Sequence, residues 1–192
     1  MRILVLSLCL GLTACSALPS AQRYGSSTSR SMITFMKPLE SNYSAEDAPD
    51  AVPPGAAGFV TSGDPDIDGW SLSLDFGSGG YSGVLGYDDR EYGSIVNSTE
   101  FFGGVRVWLG GGSKAGYLKA VGRYSKGLET NGPDSEDYWG YGIGGGALTQ
   151  MTDNIYLDGR MMYEDLIGDI EIGTGDVDLH GLVISLGIVI GQ

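Results

Sequence analysis

One histidine and two cysteines in 192 residues leave little material for metal or relay chemistry. A lone imidazole cannot build a multi-histidine metal site, and two thiols make neither a thiolate cluster nor a disulfide-stapled scaffold. Positive charge is scarce too: 11 Lys and Arg stand against 24 Asp and Glu, a formal charge of −13. That balance argues against nucleic acid and other polyphosphate partners, whose binding depends on basic side chains releasing counterions. No apolar stripe at helical spacing competes anywhere with the pattern described below. What is plentiful is glycine (33) and tyrosine (11), with 42% hydrophobic and 18% charged residues. Such a composition marks an ordered chain of one domain, with or without a tail.

The first residues address the chain. Arg2 supplies a positive start, and Ile3 to Leu12 form an apolar stretch long enough for an export signal and too short for a retained transmembrane helix. Leu12-Thr13-Ala14-Cys15 then resembles the bacterial lipobox, which implies cleavage after residue 14 and acylation of Cys15, with palmitate among the acyl chains. Ser16, in place of Asp, resembles the outer-membrane sorting choice of Gram-negative lipoproteins. Cleavage would remove Arg2 and Cys9 and leave 24 acids with ten bases, a formal charge of −14. Residues 15–30 read as the lipidated Cys and a flexible Ser/Ala/Gly-rich linker. Residues 31–68 hold a first strand candidate, either 31–37 or the weaker Gly58-Phe59-Val60-Thr61, within a Pro- and acid-rich stretch from Pro38 to Pro65 that should be mostly irregular.

From Gly69 to Gln192 the period is two. Trp70, Leu72, Leu74 and Phe76 alternate with Ser71, Ser73 and Asp75, and the same split recurs around residues 81–88, 101–109, 118–125, 138–147, 155–164 and 181–190. These are seven segments of about nine to eleven residues, the length of a tilted strand crossing hydrocarbon; one N-terminal strand makes an expected eight. Short links (77–80, 110–113, 151–153) interleave with longer acidic ones (88–97, 127–136, 165–178), as on the two rims of an antiparallel up-and-down transmembrane barrel.

Parity separates the faces. Asp75, Arg106, Lys119, Arg123, Asp158, Arg160 and Glu164 all fall opposite the apolar set. A Lys or Arg facing lipid at mid-depth costs about 2–4 kcal/mol, so in a membrane these seven face the lumen as an ion-pair network. An eight-stranded barrel is only wide enough for side chains to fill it, which implies no open pore. The same alternation fits a soluble, lipocalin-like barrel on a lipid anchor, with the apolar set inside around an apolar ligand. Two features favour the membrane reading: Trp70, Tyr87, Tyr124, Trp139, Tyr141 and Tyr163 cluster toward strand ends, as in an aromatic girdle, and the inward side of the sixth strand is glycine-rich.

The run Tyr141 to Tyr163 resembles the penultimate hairpin of OmpA/OmpX-like small outer-membrane barrels: a Gly-alternating strand, a tight Thr152-Asp153-Asn154 turn, then alternating Leu157, Arg160 and Tyr163. The likeness covers roughly residues 69–192 and implies a fold and an outer-membrane location, not an activity. Such barrels usually end in Phe or Trp, whereas this sequence ends Ile188-Val189-Ile190-Gly191-Gln192.

Candidate chemistry is sparse. Asp64, Asp66 and Asp68 before Gly69, with Asp75 at the twelfth position, have the spacing of a calcium loop, although no helix flanks them. No other cofactor is implied. Asp169, Glu171, Asp176 and Asp178 read as a hairpin beyond the membrane, and with Asp88, Asp89, Glu91, Glu129, Asp134, Glu136 and Asp137 they form an acidic rim. Such a rim keeps neighbours apart, or draws divalent cations bridging to lipopolysaccharide phosphates or a basic protein partner. Some small outer-membrane barrels are lipid A-modifying enzymes. Here His180 and Asp178 point one way along a strand and Ser185 the other, which does not assemble a Ser-His-Asp site, so no catalytic residue is expected.

Overall fold

The computed structural model describes residues 30–46, 67–92, 96–110, 114–125, 137–172 and 175–191, and among them every regular element is a β-strand. In chain order these are β1 (Arg30–Glu46), β2 (Ile67–Ser78), β3 (Tyr81–Tyr92), β4 (Val96–Trp108), β5 (Lys114–Ser125), β6 (Tyr138–Thr152), β7 (Ile155–Ile172) and β8 (Gly175–Gly191). Each pairs antiparallel with its chain neighbours, and β1 also pairs with β8, so the sheet closes into an eight-stranded up-and-down barrel.

Alternation sets the two surfaces. On β2, Ser71, Ser73 and Asp75 are buried while Leu72, Leu74 and Phe76 are exposed. Around the barrel the outward set includes Ile33, Phe35, Leu85, Val105, Leu118, Ile143, Leu186 and Ile188. Five carboxylates (Asp75, Asp88, Glu100, Asp158, Glu164) and five bases (Arg90, Arg106, Lys119, Arg123, Arg160) are buried among the described residues. Water-soluble barrels have the reverse arrangement, and a single-residue slip in register would exchange the faces. The lipocalin-like alternative therefore fails: Leu72 and Ile188, which would have to line an apolar cavity, are 40% and 49% exposed. The barrel presents hydrocarbon-compatible side chains outward and is of the transmembrane type.

Aromatic rings girdle the half of the barrel nearer the long connections. Ring centroids lie 6.2 Å apart for Phe35–Trp70, 5.3 Å for Trp70–Tyr87, 5.5 Å for Tyr87–Phe101 and 4.8 Å for Tyr124–Trp139. Trp139 and Tyr163 on β6 and β7 continue the exposed set, placing amphipathic rings at the level of a headgroup interface.

The strand boundaries differ from the sequence expectation in several places. The first strand is Arg30–Glu46, and Gly58 to Thr61 lie outside the described residues. The strand passes through Pro38, where irregular chain was expected. The β1–β2 ladder ends at Met36–Ser71, and the β1–β8 register shifts between Pro38 and Glu40, so the missing N–H falls at a bulge. Finally, β3 runs on to Tyr92 and β4 begins at Val96, which shortens the connection expected at 88–97, and β7 runs on to Ile172 and β8 begins at Gly175, which shortens the one expected at 165–178. Two glycines make close backbone geometry possible. Gly79 has φ +65° in the β2–β3 turn, and at Gly69, with φ +127°, a Cβ would lie 2.1 Å from the Asp89 carbonyl oxygen.

Candidate functional site

The lumen is layered, and the layers follow from reading each strand at every second residue. Inward along β5 come Arg123, Val121, Lys119, Tyr117 and Ala115; along β4, Glu100, Phe102, Arg106 and Trp108; along β7, Glu164, Met162, Arg160 and Asp158. Charge thus lies above and below an apolar layer of Val84, Phe102, Val121 and Met162. A second apolar layer, Met32, Trp108, Ala115, Tyr117, Leu148 and Val189, seals the end nearer the short turns.

Toward the long connections Arg123 is the hub. Its Nη1 donates to Glu164 Oε1 at 2.7 Å and its Nε to Glu100 Oε2 at 2.8 Å, while Nη2 reaches both Glu100 and Asp88. Arg90 Nη2 donates to Asp88 Oδ2 at 2.9 Å and to Glu164 Oε1 at 3.1 Å, and Nη1 bonds Glu164 Oε2. Glu100 Oε1 accepts from Tyr92 at 2.7 Å and Tyr138 at 3.1 Å. Ser98 links Ser125 and Tyr138, each at 2.8 Å. Two guanidiniums and three carboxylates are thereby desolvated together with nearly every lone pair engaged, the condition under which buried charge is tolerable.

Glycine opens the path between the partners. Arg123 on β5 faces Gly140, and Glu164 on β7 faces Gly142, so β6 contributes no side chain between them. A Cβ on Gly142 would meet Val121 Cγ2 at 3.2 Å and Glu164 Cγ at 3.5 Å.

Toward the short turns, Arg106 Nη1 sits 2.8 Å from Asp75 Oδ2 and its guanidinium lies 4.2 Å from the centroid of the Tyr117 ring. Tyr117 donates to both oxygens of Asp158, at 2.8 and 2.9 Å. Trp108 Nε1 donates to Ser82 Oγ at 2.8 Å, and Lys119 Nζ lies 4.6 Å over the Phe102 ring.

All seven lumen residues named from sequence are buried inside the barrel, in two groups: Arg123 and Glu164 in the loop-side network, and Asp75, Arg106, Lys119, Asp158 and Arg160 on the turn side, where Arg106–Asp75 is the one ion pair among the described residues. Sequence reasoning missed Arg90, Tyr92, Ser98, Glu100, Ser125 and Tyr138 as network members. It also placed Asp88 on the acidic rim, whereas Asp88 is 1% exposed and bonded to Arg90 and Arg123. The signal was present: Arg90 and Tyr92 continue the inward parity of Ser82, Val84 and Asp88, and Glu100 and Ser98 continue that of Arg106 and Phe102. The polar run Asp88-Asp89-Arg90-Glu91 mimics a loop only if that parity is dropped.

Elsewhere the candidates disperse. Asp68 lies on the outer surface, where its Oδ1 accepts from the Gly69 N–H at 2.7 Å and pairs with Lys37 Nζ at 3.2 Å. Gly69 and then Lys37 hold that exposed carboxyl below the usual carboxylate range. Asp75 is on the opposite face of the strand, so the two do not share an ion. Asp64, Asp66, Glu129, Asp134, Glu136 and Cys15 lie outside the described residues. Glu91 and Asp137 are exposed, and Asp137 accepts from Tyr124, as Asp165 does from Tyr141 at 2.9 Å. Asp169 and Glu171 fall on β7, and Asp176 and Asp178 on β8. His180 packs against Tyr163 with ring centroids 6.5 Å apart, while Ser185 is buried in the lumen.

No family model matches the sequence, and no characterised protein matches it closely by sequence. Solved structures match it in fold. The chain is similar to Neisserial surface protein A at 13% identity and a TM-score of 0.58, over 84% of this chain and 96% of that one. It is similar to the N-terminal β-barrel domain of Pseudomonas aeruginosa OprF at 14% identity and a TM-score of 0.54, over 86% and 98%. Outer membrane protein OprG from Pseudomonas aeruginosa follows at 13% identity and a TM-score of 0.51, over 88% and 98%. At such identities the shared property is the fold, a closed eight-stranded antiparallel barrel of the outer-membrane kind.

Proposed function

We propose that the protein is a lipid-anchored barrel of the bacterial outer membrane, closed to solutes, with a structural, adhesive or partner-binding role exerted through its acidic loops and no enzymatic activity. One observation carries the reading: among the described residues, five buried acids and five buried bases lie in the lumen while apolar side chains cover the outside. Such an object is stable only where hydrocarbon surrounds it, and its interior is occupied by charge held in place rather than by a pathway.

Cys15 supplies a second hold. Three acyl chains, each methylene contributing about 0.8 kcal/mol, would fix the N-terminus to the leaflet in addition to the barrel. Carboxylates beyond the aromatic belt, Glu91 and Asp137 among them, raise the local concentration of divalent cations that bridge to lipopolysaccharide phosphates, and offer a surface to a basic protein partner. The named relatives lend outer-membrane location to this reading through their shared architecture.

Fractionation of the Cys15→Ala chain tests it. Retention in the membrane pellet through carbonate washing, with release only by detergent and heat-modifiable migration on gels, is the expected result. Release into the aqueous fraction would defeat the barrel-spanning account and leave a chain held by lipid alone.

A further inference from the structure

The two polar compartments of the lumen are not equally satisfied. Nine buried side-chain atoms have no hydrogen-bond partner among the described residues, and only one, Asp88 Oδ1, belongs to the loop-side network. The other eight lie on the turn side: Thr34 Oγ1, Ser73 Oγ, both oxygens of Asp75, all three guanidinium nitrogens of Arg106, and Arg160 Nε. Arg106 and Asp75 touch as charges at 2.8 Å without the alignment of a hydrogen bond. Thr34 and Ser73 face each other across β1 and β2, and Arg106 and Lys119 across β4 and β5. In a lumen this narrow, side chains at the same depth converge. Buried polar atoms are rarely left unmet, so something occupies the space between these groups.

Charge says what it is. The turn-side compartment holds three bases, Arg106, Lys119 and Arg160, and two acids, Asp75 and Asp158. Of these three bases only Arg106 has a carboxylate, Asp75, within ion-pair distance among the described residues, and Asp158 accepts from the Tyr117 hydroxyl. The loop-side network has the opposite surplus, but it lies beyond the Phe102 layer and meets its own guanidiniums directly. Water would satisfy stranded hydrogen bonds and leave the surplus positive charge buried and unpaired, which is the larger cost.

We infer that the turn-side compartment binds one small monovalent anion, chloride in ordinary media, between Arg106, Lys119 and Arg160, with the hydroxyls of Thr34 and Ser73 completing its shell. Phe102 caps the compartment on one side and Trp108, Tyr117 and Leu148 on the other, and a single negative charge balances its three bases against two acids.

Bromide tests this. The chain is unfolded in urea, refolded into detergent micelles with sodium bromide as the only halide, and crystallised, with data collected at the bromine absorption edge. An anomalous peak within hydrogen-bonding distance of Arg106 and the Thr34 or Ser73 hydroxyl supports the site. Ordered water alone in the compartment overturns it. Lys119→Met removes the surplus charge while keeping an alkyl stem, and is expected to lose the peak; a peak of undiminished occupancy in that variant overturns the charge argument. A solution readout runs alongside: the urea midpoint of the unsubstituted chain falls when chloride is replaced by gluconate, which is too large to enter, and a midpoint indifferent to that exchange counts against the site.

Discussion

Arg123 on β5 and Glu164 on β7 meet at 2.7 Å across a strand that places no side chain between them. The contact joins strands that are not neighbours, so it braces the barrel across its lumen in a way that ladder hydrogen bonds cannot. Removing the guanidinium would leave Asp88, Glu100 and Glu164 facing Arg90 alone. Breaking a buried pair from one side typically costs about 3–5 kcal/mol. Arg123→Met is therefore expected to lower the free energy of unfolding in micelles, measured by urea titration, by an amount in that range, and Glu100→Gln in the same chain to restore part of it by removing an orphaned charge. Additive losses in the double variant would mean that the network is not energetically coupled.

Glycine positions on β6 differ in what they tolerate. At Gly142 a Cβ would meet the movable ends Val121 Cγ2 and Met162 Cε at 3.2 and 3.3 Å. At Gly146 it would lie 2.5 Å from the Tyr117 hydroxyl and 2.6 Å from the Gly159 carbonyl oxygen. Gly142→Ala is expected to be mild. Gly146→Ala should be clearly destabilising, because it displaces the hydroxyl that holds Asp158. Equal unfolding midpoints for the two variants would contradict this ranking.

The outer face carries its own test. Leu74 is 53% exposed, and its neighbour Ser73 is 1% exposed. Leu74→Arg in lipid vesicles is expected to destabilise by about 2–4 kcal/mol, the depth-dependent cost of a cation facing hydrocarbon. In a water-soluble barrel the same exposed substitution would be nearly silent, so the folding free energy in vesicles separates the two environments.

Most of the fold was legible because a barrel writes its two environments into alternate residues. Leu72, Leu74 and Phe76 against Ser71, Ser73 and Asp75 state the strand and its faces at once, and Asp75, Arg106 and Asp158 could be placed inside by parity alone. Legibility failed where composition imitated something else. Pro38 read as a strand breaker, yet β1 passes it at a bulge. Asp88-Asp89-Arg90-Glu91 read as an acidic loop, although alternation continues through it and turns Asp88 and Arg90 inward. The partners of Arg123 depend on which strands face one another across the lumen, a relation set by closure and register and carried by no local pattern.

The central claim is that apolar side chains face lipid and the charged set faces the lumen. Three tryptophans report on it without foreign probes. Trp139 is outward and 66% exposed, and Trp108 is inward, 8% exposed and bonded to Ser82. Two single-Trp chains, keeping one of these and carrying Phe at the other two positions, are reconstituted into vesicles of phosphatidylcholine brominated along its acyl chains. Strong quenching of Trp139 fluorescence with Trp108 left bright is the result this account requires. Quenching of Trp108 equal to that of Trp139, or an unquenched Trp139, would contradict it.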